Sequence, residues 1–197
     1  MNFVFDIGNV LISYKPLPYL EGLFPEKSVA EKVYKTIFRS PEWEYLDQGV
    51  LTYKQASEIF CAREPDYEAA ICLAIENVYD IFVPIAETVE LLPVIKDAGH
   101  NLYYLSNIHV EIRDYFLNKH QFFKLFNGGV FSCDVHLMKP SPEIFRCFLD
   151  TCHLAPEDCV FFDDIEENVA AARNEGINGV LFTGAQCVKR VLLNTTC

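Results

Sequence analysis

Three things are scarce in this chain: long apolar runs, paired cysteines and positive charge. No apolar stretch is long enough to cross a bilayer. The apolar N-terminus is interrupted by Asp6 and has no basic segment before it, so a secretory leader is not expected. The eight cysteines, at 61, 72, 133, 147, 152, 159, 187 and 197, include no C-x-x-C pair. That excludes the usual structural zinc spacing and points to reduced thiols in a cytoplasmic protein. Lys and Arg number 16 against 28 Asp and Glu, a net charge of -12. Such a field repels nucleic acid and anionic membranes, and an anionic small substrate would need local positive charge or a metal. There is no internal repeat and no low-complexity segment.

What the chain does have is a change of pattern along its length. Residues 2–6, "NFVFD", read as a short buried strand. From about 14 to 84 no comparable strand is expected. That stretch instead carries apolar residues at three- and four-residue spacing, as in "EKSVAEKVYKTIFR" and "DYEAAICLAIENVYDIF". Thr52 opens a capping box whose partner is Gln55. The aromatics Trp43, Tyr45, Tyr53 and Phe60 are expected in the core of this helical block.

After residue 85 strands and helices alternate. A helix over "AETVELLPVIKDAG", kinked or broken at Pro93, precedes the strand "NLYYLSN" (101–107). A helix "HVEIRDYFLNKH" and a strand "GGVFSCD" (128–134) follow. Then come a helix with Ser141 as N-cap and Pro142 at its first position, the strand "CVFFDD" (159–164), a helix closed by Gly176, and the strand "GVLFT". A short helix is expected after Ala185. This alternation specifies an α/β fold with a parallel sheet covered on both faces, in which ligands bind beyond the carboxyl ends of the strands.

The strand-end residues are therefore the informative ones: Asp6, Ser106 with Asn107, Cys133 with Asp134, and Asp163 with Asp164. Carboxylates brought together from neighbouring strand ends repel one another. They coexist in ionised form around a cation, and an all-oxygen set suits Mg²⁺. Either Asp163 or Asp164 alone would pass as a cap of the following helix, but Asp6 has no adjacent helix to cap. A Ser106 hydroxyl with the next backbone N–H suits a phosphate oxygen. Lys139, before "PSP", is placed to neutralise a phosphate and a nucleophilic carboxylate together.

In order along the chain, "DIGNV", "LSN", "MKPSPEIF" and "VFFDDIEENVAAARNEGI" resemble the four motifs of the haloacid dehalogenase-like hydrolase superfamily. The match covers residues 1–14 and roughly 85–182. "FDIGNVL" and "FFDD" resemble in particular the bacterial sugar-phosphate (glucose-1-phosphate-type) phosphatases. The resemblance implies a Rossmann-like core formed by residues 1–14 and 85–197, with a small α-helical cap, 15–84, inserted after the first strand. It implies a monomer or weak homo-oligomer acting on a small phosphate ester. Asp6 matches the nucleophile, Ser106 and the N–H of Asn107 the phosphate holders, and Lys139 the lysine that steadies both. Asp6, Asp163, Asp164 and the carbonyl of Gly8 match the Mg²⁺ ligands, with Asp164 the more direct ligand of the acidic pair.

Gly8 departs from that pattern, because family phosphatases carry a second aspartate there as general acid and base. Losing that role costs about 10²–10⁴-fold in rate. His109, expected as a solvated residue near the site edge, is one substitute base, and Asn9 is expected to shape the loop. The departure leaves two alternatives standing: a catalytically impaired phosphometabolite binder, and a metal-independent dehalogenase-type hydrolase. The adjacent acids 163 and 164 argue against the second. A response-regulator-type switch orders its acids and lysine differently along the chain.

Overall fold

A computed structural model describes residues 1–195; Cys197 lies outside them. Strand β1 (Asn2–Phe5) is followed by a three-residue strand β2 (Ile12–Tyr14). Five helices come next: α1 (Pro16–Leu23), α2 (Lys27–Phe38), α3 (Pro41–Asp47), α4 (Tyr53–Arg63) and α5 (Glu68–Glu76). The chain returns through β3 (Phe82–Pro84), then α6 (Ala86–Val89) and α7 (Leu91–Asp97). The remainder alternates: β4 (Asn101–Ser106), α8 (Val110–Lys119), β5 (Gly128–Phe131), α9 (Ser132–Val135), α10 (Pro142–Cys152), β6 (Cys159–Asp163), α11 (Glu166–Asn174), β7 (Asn178–Leu181) and α12 (Ala185–Thr195).

The main sheet has the order β5-β4-β1-β6-β7, and its pairings are all parallel. β1 is buried along its whole length and is central. Its side chains alternate between two apolar layers, as period two requires. Phe3 and Phe5 stack on Phe162 and join the layer that includes Leu92, Ile95 and Val188. Val4 faces the other way with Leu105 and Phe161, against Ile144, Phe145 and Phe148 of α10. From β1 the chain passes to β4 and β5 on one side, then to β6 and β7 on the other. The order of strands therefore reverses at β1, where a crevice opens beyond the carboxyl ends.

Three local expectations are corrected. The helical block is bounded by two strands that were not foreseen: β2 and β3 pair antiparallel, Ser13 opposite Val83, with Tyr14 stacked on Phe82. Strands of three residues carry too little periodicity to register in sequence. The helix expected over 86–98, with its kink or break at Pro93, divides at Glu90 instead. Pro93 then falls in the first turn of α7, where no N–H is needed from it. The third expected strand stops at Phe131 and turns directly into α9. Asp134 is thereby carried away from the strand end and pairs with Arg113.

The capping box is present: Thr52 accepts from the Gln55 N–H, and Gln55 accepts from the Thr52 N–H. Trp43 and Phe60 are buried in the block, while Tyr45 is exposed. Among the described residues the cysteines are unpaired thiols; Cys61 and Cys72 approach to 3.9 Å between sulfurs. No helix among them is long and apolar enough to cross a membrane.

The end of α3 is clamped onto the sheet. The Ser132 hydroxyl donates to the Asp47 carbonyl, and His136 Nδ1 lies 2.9 Å from the Gln48 carbonyl. Gly49 then turns with φ +71, and a Cβ there would stand 2.5 Å from the Cys133 carbonyl oxygen. Glycine is required both for the conformation and for the close approach. Gly49→Ala is accordingly expected to destabilise the chain by about 1–3 kcal/mol, read from the denaturation midpoint at unchanged slope.

Candidate active site

Asp6 follows directly on β1, its N–H held by the Phe162 carbonyl at 2.9 Å. Ser106 closes β4, and Asp163 closes β6, opposite Leu181 of β7. Parallel register thus delivers three polar residues to one edge, at the crevice where strand order reverses. One oxygen from each of Asp6, Asp163 and Asp164 lies within 4.8 Å of the others.

The three acids are not equivalent. Asp163 is fully buried and saturated by donors. Lys139 Nζ lies 2.6 Å from its Oδ2, the Ile165 N–H donates at 2.8 Å, and the Asn168 amide donates at 3.1 and 3.0 Å. It has little capacity left for a ligand. Asp164 is partly exposed and accepts one side-chain hydrogen bond, 3.2 Å from Asn9 Nδ2. Asp6 is buried beside Lys139, whose Nζ is 2.8 Å from its Oδ1. Burial raises the Asp6 carboxyl to about 6, and the Asp163 charge pushes the same way; Lys139 and the Ser106 hydroxyl oppose both. Asp164 is raised as well, chiefly by burial, with Asn9 opposing. Burial alone would lower Lys139, but the Asp6 and Asp163 carboxylates overcome that and hold it charged, above its ordinary value.

One lysine therefore faces three acids, and the two acids with raised values are those with spare oxygens. That excess of hard oxygen donors is the arrangement a small divalent cation satisfies.

The residues around Lys139 are set with equal care. Its backbone N–H donates to Asn107 Oδ1 and its carbonyl accepts from Asn107 Nδ2, both at 2.9 Å, and the Lys139–Pro140 peptide is cis. Asn9 takes φ +53, and its Oδ1 accepts the Tyr14 N–H at 2.9 Å. It is thus a turn residue that also holds Asp164. Asn168, in the first turn of α11, was not foreseen; a lone asparagine in a helix carries no signal until the fold places it under Asp163. His109 does not stand in solvent. It is buried between Trp43 and Tyr53, its Nδ1 3.3 Å from Glu111, and burial lowers its pKa. A neutral ring with Nδ1 on Glu111 is fixed in the aromatic cluster.

Two clefts meet over these residues. A polar one is lined by Asp6, Asn9, Lys139, Asp164 and Asn168. A mostly apolar one lies under the helical block, lined by Ile12, Trp43, Phe82, Ile108, Ile112 and Phe116, with Asp47 and His109 among them. Gly8, Tyr14, Ser106 and Asn107 border both.

A model of the haloacid dehalogenase-like hydrolases matches residues 1–176. The chain belongs to this family. A sesquiterpene phosphatase of Aspergillus oryzae is 24% identical over 180 residues, 91% of this chain and 88% of that protein. A drimenol cyclase of Aspergillus calidoustus is 26% identical over 196 residues, which are 97% of this chain and 35% of that protein, so this chain spans about a third of its length. Among solved structures, a haloacid dehalogenase family enzyme of Bacteroides thetaiotaomicron, in complex with magnesium and inorganic phosphate, shares the fold. Its TM-score is 0.65 at 19% identity, over 91% of this chain and 92% of that one.

Proposed function

We propose that this hydrolase is a Mg²⁺-dependent phosphomonoesterase that works through an aspartyl-phosphate on Asp6. The carrying observation is the convergence of Asp6, Asp163 and Asp164 at one sheet edge, with Lys139 bridging two of them. Asp6, Asp164 and the Gly8 carbonyl are the residues that would hold the ion, and Asp163 would orient Lys139 and the loop. When bound, Mg²⁺ neutralises charge on the transferring phosphoryl group. The Ser106 hydroxyl, the Asn107 N–H and Lys139 hold the phosphoryl oxygens. The Asp6 carboxylate attacks phosphorus, releasing the alcohol, and water then cleaves the acyl-phosphate. Phosphoryl transfer demands mostly positioning and charge, which these groups supply. Residues 1–14 and 85–197 form the catalytic core on this reading, and the block at 15–84 acts as its cap.

The substrate reading moves away from a sugar phosphate. The polar cleft takes the phosphoryl group, and what adjoins it under the cap is apolar. Most of the lining there is apolar, with Asp47 and His109 the polar exceptions beyond the residues shared with the polar cleft. A buried polyhydroxylated ring would therefore leave several hydroxyls without partners, at about 1–3 kcal/mol each. An apolar organic group gains there instead. The likeness to a sesquiterpene phosphatase supports the same reading. A panel assayed with Mg²⁺ is expected to favour prenyl or aryl monophosphates over glucose 1-phosphate by about tenfold or more in kcat/KM, with activity lost to chelator and restored by Mg²⁺. Preference for glucose 1-phosphate would overturn the substrate class. No turnover of any ester, with phosphate binding intact, would leave a binding protein.

A further inference from the structure

Resting on that reading, we infer that Asp47, at the end of α3 in the cap, is the general acid and base of the reaction, in the role Gly8 leaves unfilled. Four observations converge on it. Asp47 lines the apolar cleft, on the side where the organic group departs, and Gly8, Ser106 and Asn107 border the same space. A general acid must stand on the leaving-group side, opposite the attacking carboxylate, and the cap is that side. The space beside Gly8 is open: a Cβ built there meets nothing nearer than Asp6 Oδ2, at 4.0 Å. Chain neighbours aside, no carboxyl other than Asp6 stands within 4 Å of that point among the described residues.

Asp47 is also held in place although it belongs to the cap. Its carbonyl accepts from Ser132, the next residue is tied to His136, and Gly49 lies against Cys133. The His109 backbone N–H donates to its carboxyl, and His109 is itself packed on Trp43 and Tyr53. A group that must reach the reacting oxygen is thus pinned to the sheet through α9, not carried on a free lid.

Its chemistry suits the task. Burial first, then the charges of Glu44 and Asp6, raise the Asp47 carboxyl to about 8, against the His109 N–H, which opposes. The other titratable groups around it, Tyr14 and Cys133, are themselves raised by burial and neutral at pH 7. At pH 7 Asp47 therefore carries a proton. In the first step the Asp6 oxygen bonds to phosphorus, the bond from phosphorus to the ester oxygen breaks, and that oxygen takes the Asp47 proton. In the second, water gives its proton to the Asp47 carboxylate and its oxygen bonds to phosphorus. The Asp6–phosphorus bond breaks, which frees inorganic phosphate and restores both aspartates.

The experiment is Asp47→Asn, which keeps an acceptor for the His109 N–H, assayed on two phosphates. With an alkyl monophosphate, kcat should fall about 10²–10⁴-fold. With p-nitrophenyl phosphate, whose leaving group needs no proton, one nitrophenolate per chain should appear in a burst, followed by slow turnover while phosphoenzyme accumulates. For the unaltered chain, turnover of the alkyl phosphate should decline above about pH 8, as Asp47 loses its proton. Asp47→Asn should remove that limb. Gly8→Asp placed in the Asp47→Asn chain should restore about tenfold or more, which a folding defect would not allow. Unchanged kcat in Asp47→Asn, or an equal loss on both substrates with no burst and no rescue, would overturn the assignment while leaving the phosphatase reading intact. Absence of turnover in the unaltered chain on every ester would overturn both.

Discussion

Asp6→Asn is expected to reduce turnover of every phosphate ester by about 10⁴-fold or more, to the limit of detection, without unfolding the chain. The amide cannot attack phosphorus, and the neighbouring Asp163 is tied up by Lys139, Asn168 and the Ile165 N–H. Stability should hold because Lys139 keeps Asp163, and because a buried carboxyl raised to about 6 by its surroundings contributes repulsion as well as pairing. Rate and melting temperature measured on one preparation separate the two effects. Residual activity within about tenfold of the unaltered chain would mean that another group makes the covalent bond, and the role of β1 as the strand that presents the nucleophile would fall with it.

Lys139→Met is expected to cost both activity and stability. The methionine keeps the volume but leaves Asp6 and Asp163 buried with no cation between them. Removing one partner of a buried ionic cluster costs about 3–5 kcal/mol. For a chain of this size that is on the order of 10 °C in melting temperature. The sign with pH is definite. Burial already raises the Asp6 carboxyl, and losing Lys139 removes the charge that opposes that rise. The folded state then binds more protons than the unfolded one, and the deficit should shrink as pH falls toward 5. Mg²⁺ should recover part of the loss by supplying positive charge to the same oxygens. A midpoint in chemical denaturation equal to that of the unaltered chain, at neutral pH and without Mg²⁺, would contradict the ionic account of this cluster.

The strand-end logic was legible in the sequence because it depends on two local patterns. "NFVF" and "CVFF" are too apolar for anything but buried parallel strands, and the acids that follow them cannot share that burial without a reason. Parallel topology does the rest, since it brings every strand end to one edge. The same logic misplaced Asp134, because "SC" after Phe131 carries no mark of whether a strand continues or coils into α9. The stretch "WEYLDQGVLTYKQ" resembles a cap element expected near the site entrance, but nothing local singles out Asp47 within it. An acid before Gln-Gly at a helix end looks like any solvated residue. Its position at a cleft and its desolvation arise from α3 docking on Ser132 and His136, contacts some 85 residues away in the chain. His109 was misjudged the same way: its burial is made by Trp43 and Tyr53 from the cap, which no local pattern near residue 109 announces. Position at a strand end can be read locally; what the inserted block lays over it cannot.

The most direct measurement is chemical trapping of the covalent intermediate. The chain, incubated with Mg²⁺ and a turned-over monophosphate, is quenched in acid, reduced with borohydride and digested. An acyl-phosphate on Asp6 is reduced to homoserine, so the N-terminal peptide should carry homoserine at position 6 in amounts that rise in Asp47→Asn. Turnover accompanied by an unmodified Asp6 in every quenched sample, or by the modification at another carboxylate, would contradict the account.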